Sequence, residues 1–306
     1  MGDGGFQQVM HEHLAVGLAA FSIKWSVFWP YFAGAALLAI GLPIIIRNEL
    51  PEARGLDKIL PFGRLFFAVP TAVFGTEHLT DPKDIALIVP SWMPAHMFWV
   101  YLVGIALIAA ALSIVVKRCA RPAATLLGIM FLIFVALIHI PNIVAQPGDR
   151  LFWMIGLRDT AFSGGAFALA GARMRRGTTG GAPWLVTLGR FFIAIPAVIF
   201  GVEHFLHPAF VPGVPLERLT PTWIPGHIFW AYLAGAVLII AGACLLLNQK
   251  ARLAATYLGI MIFLLVLVIY LPILAATPLS IANRLNYFAD TLMFSGAALV
   301  LADACP

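Results

Sequence analysis

Apolar residues occur in blocks of about 20 along most of the chain, separated by short polar stretches. A helix rises about 1.5 Å per residue, so a block of this length crosses the roughly 30 Å hydrocarbon core of a bilayer. Helices are the expected spanning elements because each satisfies its own backbone hydrogen bonds. The pattern predicts nine transmembrane helices, at 26–46, 62–78, 96–116, 121–142, 153–171, 185–205, 227–247, 252–273 and 286–302.

The sequence repeats itself after the first helix. GRLFFAVP at 63–70 reappears as GRFFIAIP at 189–196, an offset of 126 (190 − 64), and both helices end in Phe-Gly-x-Glu-His. A longer loop in the second copy then raises the offset to 131 (230 − 99), which pairs Asp159 with Asp290. Each copy has four helices, so the two copies run in the same direction.

The repeat divides the chain into three parts. We predict an all-α polytopic transmembrane bundle with an N-terminal segment and helix at 1–59, a first four-helix repeat at 60–176 and a second at 185–303. We call the two repeats the first and second units.

Composition and charge agree with a membrane protein. Hydrophobic residues make up 61% of the chain and charged residues 11%, whereas soluble domains have about 25% charged residues. Thirteen of the 19 Lys and Arg residues lie in loops on one predicted side, which should face the cytoplasm and place the N-terminus outside. The net charge of +5 follows from this topology, so the lipid bilayer is the expected partner and nucleic acid is not.

Histidines and carboxylates gather near the predicted outer ends of the helices. The candidate site residues are Glu77, His78, His96, His139 and Asp159 in the first unit, and Glu203, His204, His227 and Asp290 in the second. Ionisable groups are costly inside a membrane and mark functional paths. The alternative is that they sit at headgroup depth, where water satisfies them. Tyr270 replaces the counterpart of His139, which favours the first unit for chemistry.

Three kinds of site remain open from the residues. Haem b could be ligated by two of His78, His96 and His139. A non-haem metal could be held by the Glu-His and His-Asp groups. A quinol pocket could use a histidine at the ring oxygen and a carboxylate as proton acceptor. The loops at 79–95 and 205–226 should cover these helix ends or receive a partner subunit.

Three motifs of both units resemble those of DoxX-like membrane proteins. They are the Phe-Gly-x-Glu-His ending, Pro-x-Trp-x-Pro-x-His-x-Phe-Trp-x-Tyr-x-x-Gly and Arg-x-Ala-Ala-Thr-x-x-Gly-Ile-Met, within 60–171 and 185–303. This group of small four-helix proteins includes the DoxD subunit of thiosulfate:quinone oxidoreductase. The resemblance implies redox or quinone-linked work. The expected location is a bacterial plasma membrane.

These observations give one leading hypothesis and two alternatives. The leading hypothesis is a membrane subunit of a quinone- or haem-linked electron-transfer assembly, with protein partners. The alternatives are a non-catalytic scaffold of a larger membrane complex and a small-solute transporter. The sequence shows no charged residues at mid-membrane depth, which counts against the transporter. It also carries no phosphate-binding loop, nucleophile elbow or zinc motif.

Overall fold

The computed structural model describes residues 25–172, 181–276 and 285–305, and helices account for nearly all of their regular structure. The predicted segment before residue 25 and the end of the first repeat, 173–176, lie outside this range. The helices are α1 Trp25–Asn48, α2 Phe62–Thr80, α3 Pro82–Ala86, α4 His96–Val115, α5 Ala120–Phe134, α6 Ile140–Ala145, α7 Arg150–Gly171, α8 Pro183–Leu206, α9 His227–Leu246, α10 Ala251–Leu265, α11 Leu271–Ala276 and α12 Asn286–Ala304.

Eight helical segments of the described chain are long and apolar enough to cross a membrane. The chain is therefore an integral multi-pass membrane protein with an all-α fold, as predicted. The remaining predicted span, α7, has 22 residues but falls outside this set. It carries Arg150, Arg158 and Asp159, and the half that follows Asp159 is almost entirely buried. Its charges are thus placed inside the protein and not in lipid.

The two central helices, α7 and α12, each pack on the first helix of the other unit. Gly164 of α7 lies so close to α8 that an added Cβ would come 2.7 Å from the Gly189 carbonyl oxygen. Gly296 of α12 meets α2 in the same way, and an added Cβ there would lie 2.9 Å from the Gly63 carbonyl oxygen. Because Gly63 and Gly189 are repeat equivalents, the two units interlock through matching contacts.

The last helix of the second unit is shifted by one position relative to the predicted alignment. Ser163 Oγ donates to the Gly128 carbonyl at 2.9 Å, and Ser295 Oγ donates to the Gly259 carbonyl at 2.8 Å. The glycines keep the predicted offset of 131 (259 − 128), but the serines have an offset of 132 (295 − 163). The offset of 131 predicted for this helix is therefore wrong by one.

The axis that relates the two units passes between α7 and α12. An added Cβ on Gly165 would lie 2.6 Å from Ala297 Cβ. The offset between these residues is also 132 (297 − 165), so they hold equivalent positions. Equivalent positions face each other only across an axis of pseudosymmetry, and parallel repeats place that axis along the membrane normal.

Each unit also contains one widened helical turn, Val135–His139 and Val266–Tyr270. In both, the residue after the turn donates its backbone N–H to the carbonyl five residues back. Pro141 and Pro272 follow directly, and a proline has no N–H for the regular bond to the carbonyl four residues back. The turn ends at His139 in the first unit and at its counterpart Tyr270 in the second.

We predict that replacing Gly165 by Leu separates the central helices and lowers the thermal unfolding temperature by about 5 °C or more, since overpacking typically costs about 1–3 kcal/mol. Gly148→Leu is the matched control, because no described atom lies within 4 Å of its added Cβ. Unfolding in detergent can be followed by circular dichroism. Equal stability of the two variants would contradict a close crossing at Gly165.

Candidate functional site

A chain of four polar side chains runs between the two central helices, and three of them are buried while Arg158 is half-buried. His139 Nε2 lies 2.8 Å from Asp159 Oδ2, and the Arg158 Nε donates to Asp159 Oδ1 at 3.0 Å. The Arg158 Nη1 donates to Asp290 Oδ2 at 2.9 Å. Asp159 and Asp290 are only 5% and 3% exposed. We call these four residues the central cluster.

The axis of the fold explains why Arg158 and Asp290 meet. Each lies two helical turns before a residue of the Gly165–Ala297 crossing (165 − 158 = 7 and 297 − 290 = 7), so both lie on the same helix face as the crossing. Arg158 is therefore the positional equivalent of Asp290. The predicted pairing of Asp159 with Asp290 is wrong because of the same shift by one position.

The true counterpart of Asp159 is Thr291, at an offset of 132 (291 − 159). Thr291 lies close to Tyr270, as Asp159 lies close to His139. The pair His139–Asp159 in the first unit thus becomes Tyr270–Thr291 in the second. The titratable pair is confined to one unit.

One acceptor atom of the central cluster has no donor in the part of the chain that the structure describes. Asp290 Oδ1 is buried and makes no hydrogen bond within the described residues. Buried polar atoms normally have a hydrogen-bond partner, so this oxygen lacks one donor.

Glu77 lies beside the cluster at the end of α2. It is buried, and the side-chain amide of Asn286 on α12 donates to its Oε1. Asn286 stands one helical turn before Asp290, so the two carboxyl groups approach the same face of α12. The predicted residues Glu77, His139, Asp159 and Asp290 are thus brought to neighbouring positions, across the contact between the units.

His78 and His204 share one conformation. In each, Nδ1 donates to the carbonyl four residues back, at Phe74 or Phe200. A carbonyl can only accept, so Nδ1 carries the proton and Nε2 is left as an acceptor. His204 Nε2 accepts from the Gly213 N–H at 2.8 Å. His78 Nε2 has no partner among the residues that the structure describes.

The long loop of the second unit folds into the helix ends. Residues 211–216 are all buried, and we call this segment the plug. Tyr270 Oη donates to the Pro212 carbonyl at 2.8 Å, and Arg150 donates to the Pro215 and Leu216 carbonyls at 2.6 Å. The same arginine forms an ion pair with Glu203, with 3.3 Å between Arg150 Nη1 and Glu203 Oε2. Glu203 and His204, both predicted site residues, therefore fasten the plug.

His96 and His227 stand apart from these groups. Each is the first residue of its helix, α4 or α9, and is half-buried. Within the described part of the chain neither joins the central cluster or the plug by a hydrogen bond. These two predicted residues fit the alternative of polar groups at helix ends.

The haem expectation stays a prediction, because His78 Nε2 and His139 Nδ1 have no partner among the described residues. His139 Nε2 is engaged by Asp159, and both nitrogens of His204 are engaged by backbone groups. Within residues 25–172, 181–276 and 285–305 no group of three or more His, Cys, Asp or Glu side chains is arranged to hold a metal ion. We derive no step through haem or metal.

A groove of about 440 Å³ lies between α1, α2 and α4. Its lining is almost wholly apolar and includes the exposed rings of Trp29 and Phe32. Leu79, which also lines it, directly follows His78 in the chain. The groove therefore runs from the exposed apolar surface toward the His78 end of α2, with space for a chain-like apolar group.

Several participants were not identified from the sequence. No sequence motif indicates the roles of Arg150, Arg158 and Asn286, because each contacts residues far away in the chain. The longer second loop was the signal for the plug, since its extra length breaks an otherwise regular repeat. The positions of the other participants depend on contacts between helices that are far apart in the sequence.

Comparison with known proteins gives one match. A family model described as a domain of unknown function, DUF8561, matches residues 67–150, a stretch that contains Glu77, His78, His96 and His139. This segment of the chain is similar to that family, and it amounts to less than half of the length. No curated protein and no solved structure matches the chain.

We predict that Arg158→Leu destabilises the protein by about 3–5 kcal/mol, because it leaves two buried carboxylates without their shared partner. Adding Asp290→Leu should restore part of the loss, since the unpaired charge is then removed as well. Thermal unfolding of the single and double variants measures both effects, with Lys83→Leu on the exposed loop as control. Additive losses in the double variant would contradict a direct Arg158–Asp290 pair.

Proposed function

We propose that this protein is a quinone-linked membrane subunit of an electron-transfer assembly, and that His139 accepts a proton from a quinol. The observation that carries the proposal is the buried His139–Asp159 pair, whose atoms lie 2.8 Å apart. Quinol oxidation releases two protons and two electrons. His139 takes one of the protons, water at the helix ends takes the other, and a redox-active partner subunit takes both electrons.

The neighbours of His139 suit it to proton acceptance. Asp159 accepts from Nε2–H, which fixes the ring and leaves Nδ1 as the basic nitrogen. No described residue bonds to that Nδ1. Asp159 would also stabilise the imidazolium, as the carboxylate of a catalytic His-Asp pair does. Arg158 keeps Asp159 ionised by donating to its other oxygen.

A membrane quinol also carries a long apolar tail, which needs an apolar surface on the protein. The apolar groove beside α2 would suit the isoprenoid tail of a membrane quinone.

The proposed placement in the cell follows the sequence. The helix ends that carry His78 and His139 would face the outside of a bacterial plasma membrane, since the opposite loops hold most of the Lys and Arg residues. The resemblance to DoxX-like proteins remains a prediction and is of the same functional class.

A transporter is the second candidate, and one observation favours it. The half-buried Arg158 and the buried Asp159 and Asp290 lie between the two units, where transporters built from repeats bind their substrates. The sequence pattern alone predicts no charged residues at such a depth. Flux of small solutes into liposomes, abolished by Asp290→Asn, would select this function over the quinone-linked one.

The test of the proposal uses the tagged protein in native membranes. Lipid extraction of the purified protein should yield about one quinone per chain, well above the quinone-to-phospholipid ratio of the membrane. Quinol oxidation by membranes that contain the protein should fall about 100-fold in His139→Leu, because a positioned base contributes about 10²–10⁴. His96→Leu is the matched control. A bulk quinone ratio together with unchanged oxidation would refute the proposal.

A further inference from the structure

The two units differ most in the loop between their first two helices. The loop covers positions 79–95 in the first unit and the longer range 205–226 in the second. None of residues 81–95 is buried, although the structure describes them all. The second loop instead buries the consecutive residues of the plug, 211–216. The first unit thus lacks a segment that the second unit inserts among its helix ends.

The plug makes its contacts like a bound ligand. The Gly213 N–H donates to His204 Nε2, and the neighbouring Pro212 carbonyl accepts from Tyr270 Oη, both at 2.8 Å. Gly213 has φ +115°, which favours glycine, and an added Cβ would lie 3.2 Å from Thr291 Cγ2. The tip of the plug therefore fills the space enclosed by His204, Tyr270 and Thr291.

The first unit presents the equivalent residues without a plug. His78, His139 and Asp159 correspond to His204, Tyr270 and Thr291, at offsets of 126, 131 and 132. The helix positions match, because an added Cβ on Gly104 or Gly235 would touch the Cβ of His78 or His204, at 2.8 and 3.0 Å respectively.

The walls of this place are more open and more aromatic in the first unit. His78 is half-buried and His139 is 9% exposed, whereas His204 and Tyr270 are 1% exposed. Two side chains that stand 3.7 Å from an added Cβ at the plug tip are Ile262 and Leu265. The equivalent residues of the first unit are Phe131 for Ile262 and Phe134 for Leu265. Each pair is 131 positions apart in the chain. Flat rings replace aliphatic chains and suit an aromatic occupant.

The hydrogen-bonding polarity selects one oxidation state. His78 Nδ1–H donates to Phe74, so its Nε2 accepts; His139 Nε2–H donates to Asp159, so its Nδ1 accepts. A ligand between them must donate at both positions. A hydroquinone has two O–H donors, whereas an oxidised quinone has only acceptors.

We infer that the first unit binds a hydroquinone headgroup between His78 and His139, in the place that the plug fills in the second unit. This inference rests on the proposed function and names its binding site and the form that is bound. The second unit is closed by its own chain, so each protein binds one headgroup. Phe131 and Phe134 flank the ring, and His139 receives a hydroxyl proton.

The binding test uses trimethylhydroquinone, a tail-less probe, kept reduced under argon with the full-length protein in lipid nanodiscs. Calorimetry should give one site per chain, with at least tenfold tighter binding than for trimethylbenzoquinone. His78→Leu and His139→Leu should each weaken binding about tenfold or more, because each removes an acceptor for a buried hydroxyl. His96→Leu and His227→Leu are the matched controls and should bind as the parent does.

A loop exchange tests the plug directly. Residues 79–95 are replaced by the sequence of 205–226, together with His139→Tyr and Asp159→Thr. This variant should keep the parent unfolding temperature within a few degrees and lose hydroquinone binding. If it unfolds instead, the two single histidine variants decide the matter.

The outcomes separate the inference from the proposed function. Binding that is unaffected by both His78→Leu and His139→Leu, two sites per chain, or a preference for the oxidised probe would overturn the inference and leave a quinone-linked role in place. Absence of binding for both probes, with no quinone retained on purification, would overturn both.

Discussion

The contact between Arg158 and Asp290 is the constraint on which the arrangement of the two units depends. A charge inside a membrane protein must be paired or it destabilises the fold by several kcal/mol. The two residues lie on helices of different units and face each other across the axis between them. They lie 2.9 Å apart, and the same two helices cross closely at Gly165 and Ala297 two turns away.

This constraint also explains why the units differ. Equivalent positions meet at an axis of pseudosymmetry, so an exact repeat would oppose arginine to arginine or aspartate to aspartate. An ion pair can form there only if the two copies have diverged. The shift by one position in α12 achieves this by placing Asp290 opposite Arg158. The same shift leaves Asp159 free to pair with His139, and gives the second unit Thr291 in its place.

The divergence then extends outward to the helix ends. In the second unit the positions equivalent to His139 and Asp159 hold Tyr270 and Thr291, and the space before them is closed by the plug. In the first unit the histidines keep unpartnered acceptor nitrogens within the described chain. The two units therefore share one fold, but among the described residues at this place only the first unit has histidine nitrogens that are available to a ligand.

Periodicity and repetition predicted the helices, their shared direction and the gathering of polar residues at one end, because these depend on local sequence. The partners of those residues could not be predicted. A shift by one position in α12 moves Asp290 by about 100° around the helix, and no motif reports it. The pairing of Arg158 and the roles of Glu203 and His204 depend on contacts between sequence-distant helices. The plug was visible only as the extra length of the second loop.

A cryo-EM map of the protein in nanodiscs, saturated with a hydroquinone under reducing conditions, tests the central claim most directly. The account predicts ring-shaped density between His78 Nε2 and the imidazole of His139, flanked by Phe131 and Phe134, with the plug alone in the second unit. Density for residues 79–95 in that place, or a ring bound elsewhere while it stays empty, would contradict the account.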